Sequence, residues 1–216
     1  MQAQYEYFLS KVFNEIVDNW KLAFNPDGKE ILTAGELGKI QGFDIEEKEV
    51  LTKLASADIF ATAIAYSTNG RFLAVGNNVG HLYIYDMKED KKMQKIEDVH
   101  HKQIRDIAFT ADNNKIVSVA DDFTIVIFDL VKFQKITSLS GHKGNINCVN
   151  AHPKDKSKIV TGSYDRTVKV WDIESKTCTQ TITLASNVWS VKFSHDGSIV
   201  GAGKNWEGNY LSNYFF

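Results

Sequence analysis

The sequence predicts an all-β protein in which four-stranded antiparallel blades follow one another as in a propeller. Three observations predict it. The chain repeats every 42–43 residues, each repeat holds four short strand-like segments, and turn signals separate those segments with only two prolines in 216 residues. Aromatic–Asp pairs mark the register: Phe43-Asp44, Tyr85-Asp86, Phe128-Asp129 and Trp171-Asp172, spaced by 42, 43 and 43 residues. A unit of that length with four short strands has the size of one blade.

Each blade begins with an innermost strand. Asp18-Asn-Trp-Lys-Leu-Ala-Phe24, Ala61–Tyr66, Ile104–Phe109, Ile146–Ala151 and Val188–Phe193 occupy that place. Turns such as Asn25-Pro-Asp-Gly28, Ser67-Thr-Asn-Gly70 and Ser194-His-Asp-Gly197 follow, with the Asn, Asp and Gly that tight turns use. A second apolar run (Lys158–Gly162 in the fourth unit), an alternating strand (Thr167–Trp171) and a polar edge strand (Thr177–Ile182) complete the unit. Residues 18–205 therefore supply four full blades and part of a fifth. Residues 206–216 lack the aromatic–Asp pair expected near 214 and read as a divergent tail. Residues 1–17 lie before the repeats. Tyr5, Phe8, Leu9, Val12, Phe13 and Ile16 recur there at helical spacing, which predicts a short amphipathic helix that caps an edge or docks a partner. Read-through at a wrongly assigned gene boundary is the alternative origin of that segment.

Composition excludes several functions. The formal charge is −2 and the sequence pI about 6.3, so no electrostatic footprint for a phosphate backbone exists and direct nucleic-acid binding is not expected. No run approaches 18 consecutive apolar residues, so no membrane span is expected. Cys148 and Cys178 cannot build a disulfide framework or a four-cysteine zinc site. The chain has no phosphate-binding loop, no Gly-x-Ser-x-Gly and no His-Glu-x-x-His, so neither cofactor nor metal is expected.

The fourth unit carries the most specific motif. Gly141-His142, Gly162-Ser-Tyr-Asp165 and Trp171-Asp172 occur in order inside the repeat, and on these residues the chain resembles the WD-repeat family. His142, Asp165, Trp171 and a hydroxyl (Thr161, or Ser163 on the same strand face) could suggest a hydrolase triad. The resemblance implies instead a buried hydrogen-bonded chain that is structural. The third unit keeps His100, Ser118 and Asp122 with Phe128 in place of tryptophan; the first two lack the set, since Leu37 and Val79 stand where the Asp would be. The resemblance also implies seven blades in a closed ring, so an incomplete ring needing further blades, a partner or self-association is expected.

Aligning the units puts Trp20, Thr62, Arg105, Asn147 and Trp189 at one position near the rim of the channel. Phe60, Gln103, Asn145 and Asn187 lie two residues earlier, and Glu36, Asn78, Asp121 and Tyr164 sit in the facing turns. Trp, Tyr and Arg are the residue types most enriched at binding hot spots. Trp20, Phe60, Thr62, Arg105, Asn145, Asn147, Tyr164 and Trp189 are therefore the candidate partner-binding residues, against the alternative that a first-strand tryptophan packs between blades. Asp18–Phe24, Arg105, Asn187-Val-Trp-Ser-Val191 and Val168–Cys178 are similar to the WD-repeat subunits of superkiller complexes. That likeness implies a non-catalytic scaffold for a helical-repeat protein and an RNA helicase, serving exosome-dependent RNA decay in the cytoplasm or a polymerase II-associated elongation complex in the nucleus. Two alternatives differ in class. A substrate receptor of a cullin-type ligase would want Trp-Asp-x-Arg, whereas the four equivalents end in Glu46, Lys88, Val131 and Glu174. A propeller hydrolase would want acids converging on the channel, where only Asp18, Glu36 and Asp121 are placed near the rim.

Overall fold

The computed structural model describes residues 19–47, 49–54, 60–89, 91–203 and 212–215, with side chains from 21 to 199 within those ranges. The expected helix over 1–17 lies outside the described residues, among which there is no helix. Nineteen strands form five antiparallel sheets. Blade 1 holds β1 (Asn19–Phe24), β2 (Glu30–Gly35), β3 (Ile40–Asp44) and β4 (Val50–Leu54). Blade 2 holds β5 (Ala61–Tyr66), β6 (Phe72–Asn77), β7 (Leu82–Asp86) and β8 (Lys92–Ile96). Blade 3 holds β9 (Ile104–Phe109), β10 (Lys115–Ala120), β11 (Thr124–Asp129) and β12 (Gln134–Ser140). Blade 4 holds β13 (Ile146–Ala151), β14 (Lys158–Ser163), β15 (Thr167–Asp172) and β16 (Thr177–Thr183). Blade 5 holds β17 (Val188–Phe193), β18 (Ile199–Gly203) and β19 (Ser212–Phe215). Strand β19 lies inside the stretch that the sequence sets apart as a tail. It pairs with β18 at the third-strand place, so the strand period continues where the aromatic–Asp signal stops.

The repeated aromatic–Asp pair has two separate jobs. The aromatic ring is buried in every case, at Phe43, Tyr85, Phe128 and Trp171, and the last three pack against the preceding blade. The carboxylate that follows it closes the next turn. Asp44 accepts the N–H groups of Glu46 and Glu47, Asp86 those of Lys88 and Glu89, Asp129 those of Val131 and Lys132, and Asp172 those of Glu174 and Ser175. A short carboxylate that satisfies two otherwise unpaired backbone donors fixes the hairpin between the third and fourth strands.

Successive blades pack in sequence order through their innermost strands, β1 on β5, β5 on β9, β9 on β13 and β13 on β17. Apolar residues on one face of each inner strand fill those junctions: Ile64, Ile107, Val149 and Val191 are all buried. Their counterpart in blade 1, Leu22, is 55% exposed, and Phe24 beside it is 57% exposed. Two junctions share a further device. A Cβ on Gly76 would lie 2.6 Å from Ile104 Cγ2, and one on Gly162 would lie 2.5 Å from Val188 Cγ1. Only glycine at those two places lets the next inner strand come this close.

Candidate partner-binding rim

One backbone irregularity recurs in all five blades. The pairing of the innermost with the second strand skips a residue, and the skipped residues are Trp20, Thr62, Arg105, Asn147 and Trp189. The rim position deduced from the repeat alignment is therefore the extra residue of a β-bulge. Bulges re-aim a side chain and end regular pairing, which is how one position in each strand can turn toward the channel mouth.

In blades 2, 3 and 4 the facing loop is tied by one hydrogen bond to the residue two places before the bulge. Asn78 N–H donates to the Phe60 carbonyl at 3.1 Å, Asp121 N–H to Gln103 at 3.0 Å, and Tyr164 N–H to Asn145 at 2.9 Å. Glu36 forms an isolated bridge with Phe60. The structure thus brings together the three sequence positions of units 2, 3 and 4. Asp18 lies outside the described residues, and of Trp20 only the backbone in β1 is described.

The side chains divide into two groups. Thr62 and Asn147 are buried, and each has a use that the sequence did not reveal. Thr62 Oγ1–H donates to the Ile104 carbonyl at 2.7 Å, and Asn147 Nδ2–H to the Val188 carbonyl at 2.8 Å. Both bonds join one blade to the next. Val149 N–H on Asp106 and Phe193 N–H on Asn150 add two more links of this kind. Arg105, Tyr164 and Trp189 stay accessible. The Arg105 guanidinium donates from Nε and Nη2 to the two oxygens of Asp121 at 2.8 and 2.7 Å, so its fork is fixed although the side chain is 37% exposed. Trp189 and Tyr164 are 47% and 42% exposed and meet edge to face, with ring centroids 5.3 Å apart at 71°. Lys21, Thr62, Gln103, Arg105, Asn147 and Trp189 line a cavity of about 190 Å³ at the mouth. Deeper in, burial pushes the Asp106 carboxyl up against the opposing pull of Lys21 and Lys192.

The His, hydroxyl, Asp and Trp of blade 4 also come together, away from that mouth. Trp171 Nε1–H donates to Thr161 Oγ1 at 2.9 Å, the Thr161 hydroxyl lies 2.7 Å from His142 Nε2, and His142 Nδ1 lies 2.9 Å from Asp165 Oδ2. Burial depresses the His142 pKa against the pull of Asp165, so the imidazole is neutral. Its one proton then sits on Nδ1, facing the carboxylate, and Nε2 accepts from Thr161. Burial would raise the Asp165 carboxyl, but donation from Thr167, Lys143 N–H and His142 brings it down to about 2. Ser163, the other hydroxyl that the sequence allowed, instead donates to the Gly144 carbonyl. In blade 3, His100 spans Ser118 and Asp122 at 2.8 and 3.1 Å, and Phe128 leaves Ser118 without an indole donor. Blade 2 uses a residue that the repeat pattern does not single out. Buried Asn77 accepts from Val79 and His81 N–H and holds the turn that an Asp holds in blades 3 and 4. Among the described residues no group of three or more His, Cys, Asp and Glu side chains could hold a metal ion.

Comparison with known proteins agrees with the blade architecture. Residues 91–129 and 133–172 match the WD domain, G-beta repeat family (WD40), and these two matches end at Asp129 and Asp172. The WD repeat-containing protein WDS homolog of Arabidopsis thaliana is 27% identical over 69% of this chain and 29% of its own length. The U3 small nucleolar RNA-associated protein 15 homolog of Gallus gallus is 31% identical over 66% of this chain and 28% of its own length. The Periodic tryptophan protein 2 homolog of Caenorhabditis elegans is 24% identical over 81% and 19%. The match thus spans less than a third of the length of these relatives. With two matched WD40 repeats set among five blades of like build, the fold is that of a WD-repeat β-propeller.

Proposed function

We propose that this chain is a non-catalytic scaffold that holds partner proteins at the rim of its propeller. The observation that carries this is the exposed Trp189–Tyr164 pair beside the fixed Arg105 guanidinium. Half-exposed aromatic rings and an immobilised arginine are the anchors that dominate binding energy at protein interfaces. The His142–Thr161–Asp165–Trp171 chain is assigned a structural role. Thr161 is wholly buried and its oxygen is shared between the indole and the imidazole, so it presents no nucleophile to a substrate.

At finer detail, the likeness of Asp18–Phe24 and Asn187–Val191 to superkiller subunits supports a helical-repeat scaffold and an RNA helicase as partners. A second assembly is favoured by the names of the relatives, one of which is associated with the U3 small nucleolar RNA; this supports a nuclear RNA-processing complex. Affinity purification from the native cell, comparing wild type with a Tyr164→Ala/Trp189→Ala double variant, separates the two. A helicase and a helical-repeat protein recovered with wild type alone would support the first assembly, and nucleolar ribonucleoprotein components lost from the variant the second. Identical partner sets for both baits would overturn the assignment of the rim.

A further inference from the structure

The chemistry of the cavity at the mouth narrows what the rim receives, and this inference rests on the rim being the partner surface. Among the described residues that line the cavity there is no carboxylate: Lys21 and Arg105 bring cations, Gln103 and Asn147 amides, Thr62 a hydroxyl and Trp189 an aromatic face. The rim acid Asp121 is held by Arg105 through both of its oxygens. Lys21 is exposed on β1, and among the described residues the acid that feels its charge is the buried Asp106. Two further exposed lysines, Lys102 and Lys143, flank Gln103 and Gly144 in the loops that lead into β9 and β13. Lys21 and Arg105 thus set two cations on the lining of one small opening, while their nearby acids, the buried Asp106 and the Arg105-bound Asp121, lie outside that lining.

Size limits the occupant. A cavity of about 190 Å³ is comparable with one of about 150 Å³ that takes a single benzene, so it suits one side chain and not a folded domain. Next to it stands the Trp189–Tyr164 pair, which offers an apolar, half-exposed surface to a neighbouring residue. We propose that the mouth receives an extended segment of a partner protein carrying an Asp or Glu side chain, with the carboxylate between Lys21 and Arg105 and an adjoining apolar residue on the Trp189–Tyr164 pair. Arg105 still has Nη1 protons uncommitted to Asp121, and the amides of Gln103 and Asn147 supply neutral donors on the opposite walls. Single-stranded nucleic acid would need a cationic track along its backbone, and two cations at one cavity do not provide one.

The test is selection of a displayed random 12-residue peptide library on the whole chain. The expected result is enrichment of sequences with Asp or Glu next to Leu, Phe, Tyr or Trp, whose binding weakens several-fold between 50 and 300 mM salt. Lys21→Glu and Gln103→Glu each place a carboxylate in the cavity, from different blades, and both are expected to weaken the selected peptides about tenfold or more. Using two variants, each checked for an unchanged melt by circular dichroism, separates the site from a folding defect. Enrichment of neutral or basic peptides, acidic enrichment indifferent to both variants, or no enrichment beyond that on Tyr164→Ala/Trp189→Ala would overturn the proposal. So would displacement of the selected peptides by oligouridylate, which would transfer the site to nucleic acid. If any of these occurs while cellular partners are still lost from the Tyr164→Ala/Trp189→Ala variant, the scaffold function stands and only the acidic chemistry falls.

Discussion

Thr161 Oγ1 accepts one hydrogen bond and donates another without touching solvent, and the side chains on either side depend on it for their own pairing. Thr161→Val keeps the shape but leaves the indole N–H and His142 Nε2 unpaired in a buried site, and Asp165→Ala strips the imidazole of its acceptor. Each is expected to cost roughly 1–3 kcal/mol, read as a lower midpoint in urea or guanidinium. An unchanged midpoint for both would remove the structural role of the network. The same residues set the response to acid. Folded His142 titrates below its ordinary 6.5, so as pH falls past that value the unfolded chain binds a proton that the native state refuses, and stability declines. Asp165 titrates at about 2 instead of 3.8, so its contribution is present above about pH 4 and is lost as pH falls toward 2. Stability measured against pH should therefore drop in two stages, and His142→Gln should abolish the upper stage. A single transition in the wild type would contradict this.

At the scale of strands and turns, the blades are held by few devices used repeatedly. The β2–β3 turn and its counterparts pass through the left-handed region at Gly38, Gly80, Phe123 and Arg166, with φ of 64°, 95°, 68° and 66°. Arg166→Gly removes the Cβ from that conformation and should leave the melting temperature unchanged or raise it slightly. Gly162→Ala is expected to do the opposite. Its new methyl would meet Val188 and the Cys148 thiol, so the junction between blades 4 and 5 must open, at a cost of roughly 1–3 kcal/mol in a thermal or denaturant melt. The strands and their turns were legible in the sequence because turn-closing Asp residues and buried aromatics recur at fixed spacing. The bulges were not. A bulge leaves no residue-type signature here, since Trp, Thr, Arg, Asn and Trp fill the five places. The inter-blade bonds of Thr62 and Asn147 were hidden for a related reason: each joins a side chain to a backbone carbonyl about 42 residues away, and any donor of suitable length can do so. Asn77 escaped notice because it holds its turn from a place where the other blades have Gly or Ala or Ser.

Across the whole molecule, consecutive blades are joined by apolar faces and side-chain hydrogen bonds, and the bulged positions of β5, β9, β13 and β17 open toward one mouth. Residues that look alike in the repeat alignment therefore divide by depth. Asn147 belongs to the framework, and Asn147→Ala should lower stability by roughly 1–3 kcal/mol by stranding the Val188 carbonyl. Trp189 stands on the surface of that framework with about half of its area in solvent, so Trp189→Ala forfeits the aromatic pair, about 0.5–1.5 kcal/mol, and only part of the burial that a core tryptophan would lose. The repeat alignment could bring these residues to one rim, but not tell which faced solvent, because depth depends on the tilt that each bulge imposes. The central claim is that the Trp189–Tyr164 side of the mouth is the surface partners occupy. Hydroxyl-radical footprinting of the chain, alone and within its purified native complex, tests this most directly. Oxidation of Trp189 and Tyr164 should fall sharply in the complex while the buried Trp171 stays unreactive in both states. Equal oxidation of Trp189 and Tyr164 in both states, with protection confined to outer strands such as β12 and β16, would contradict it.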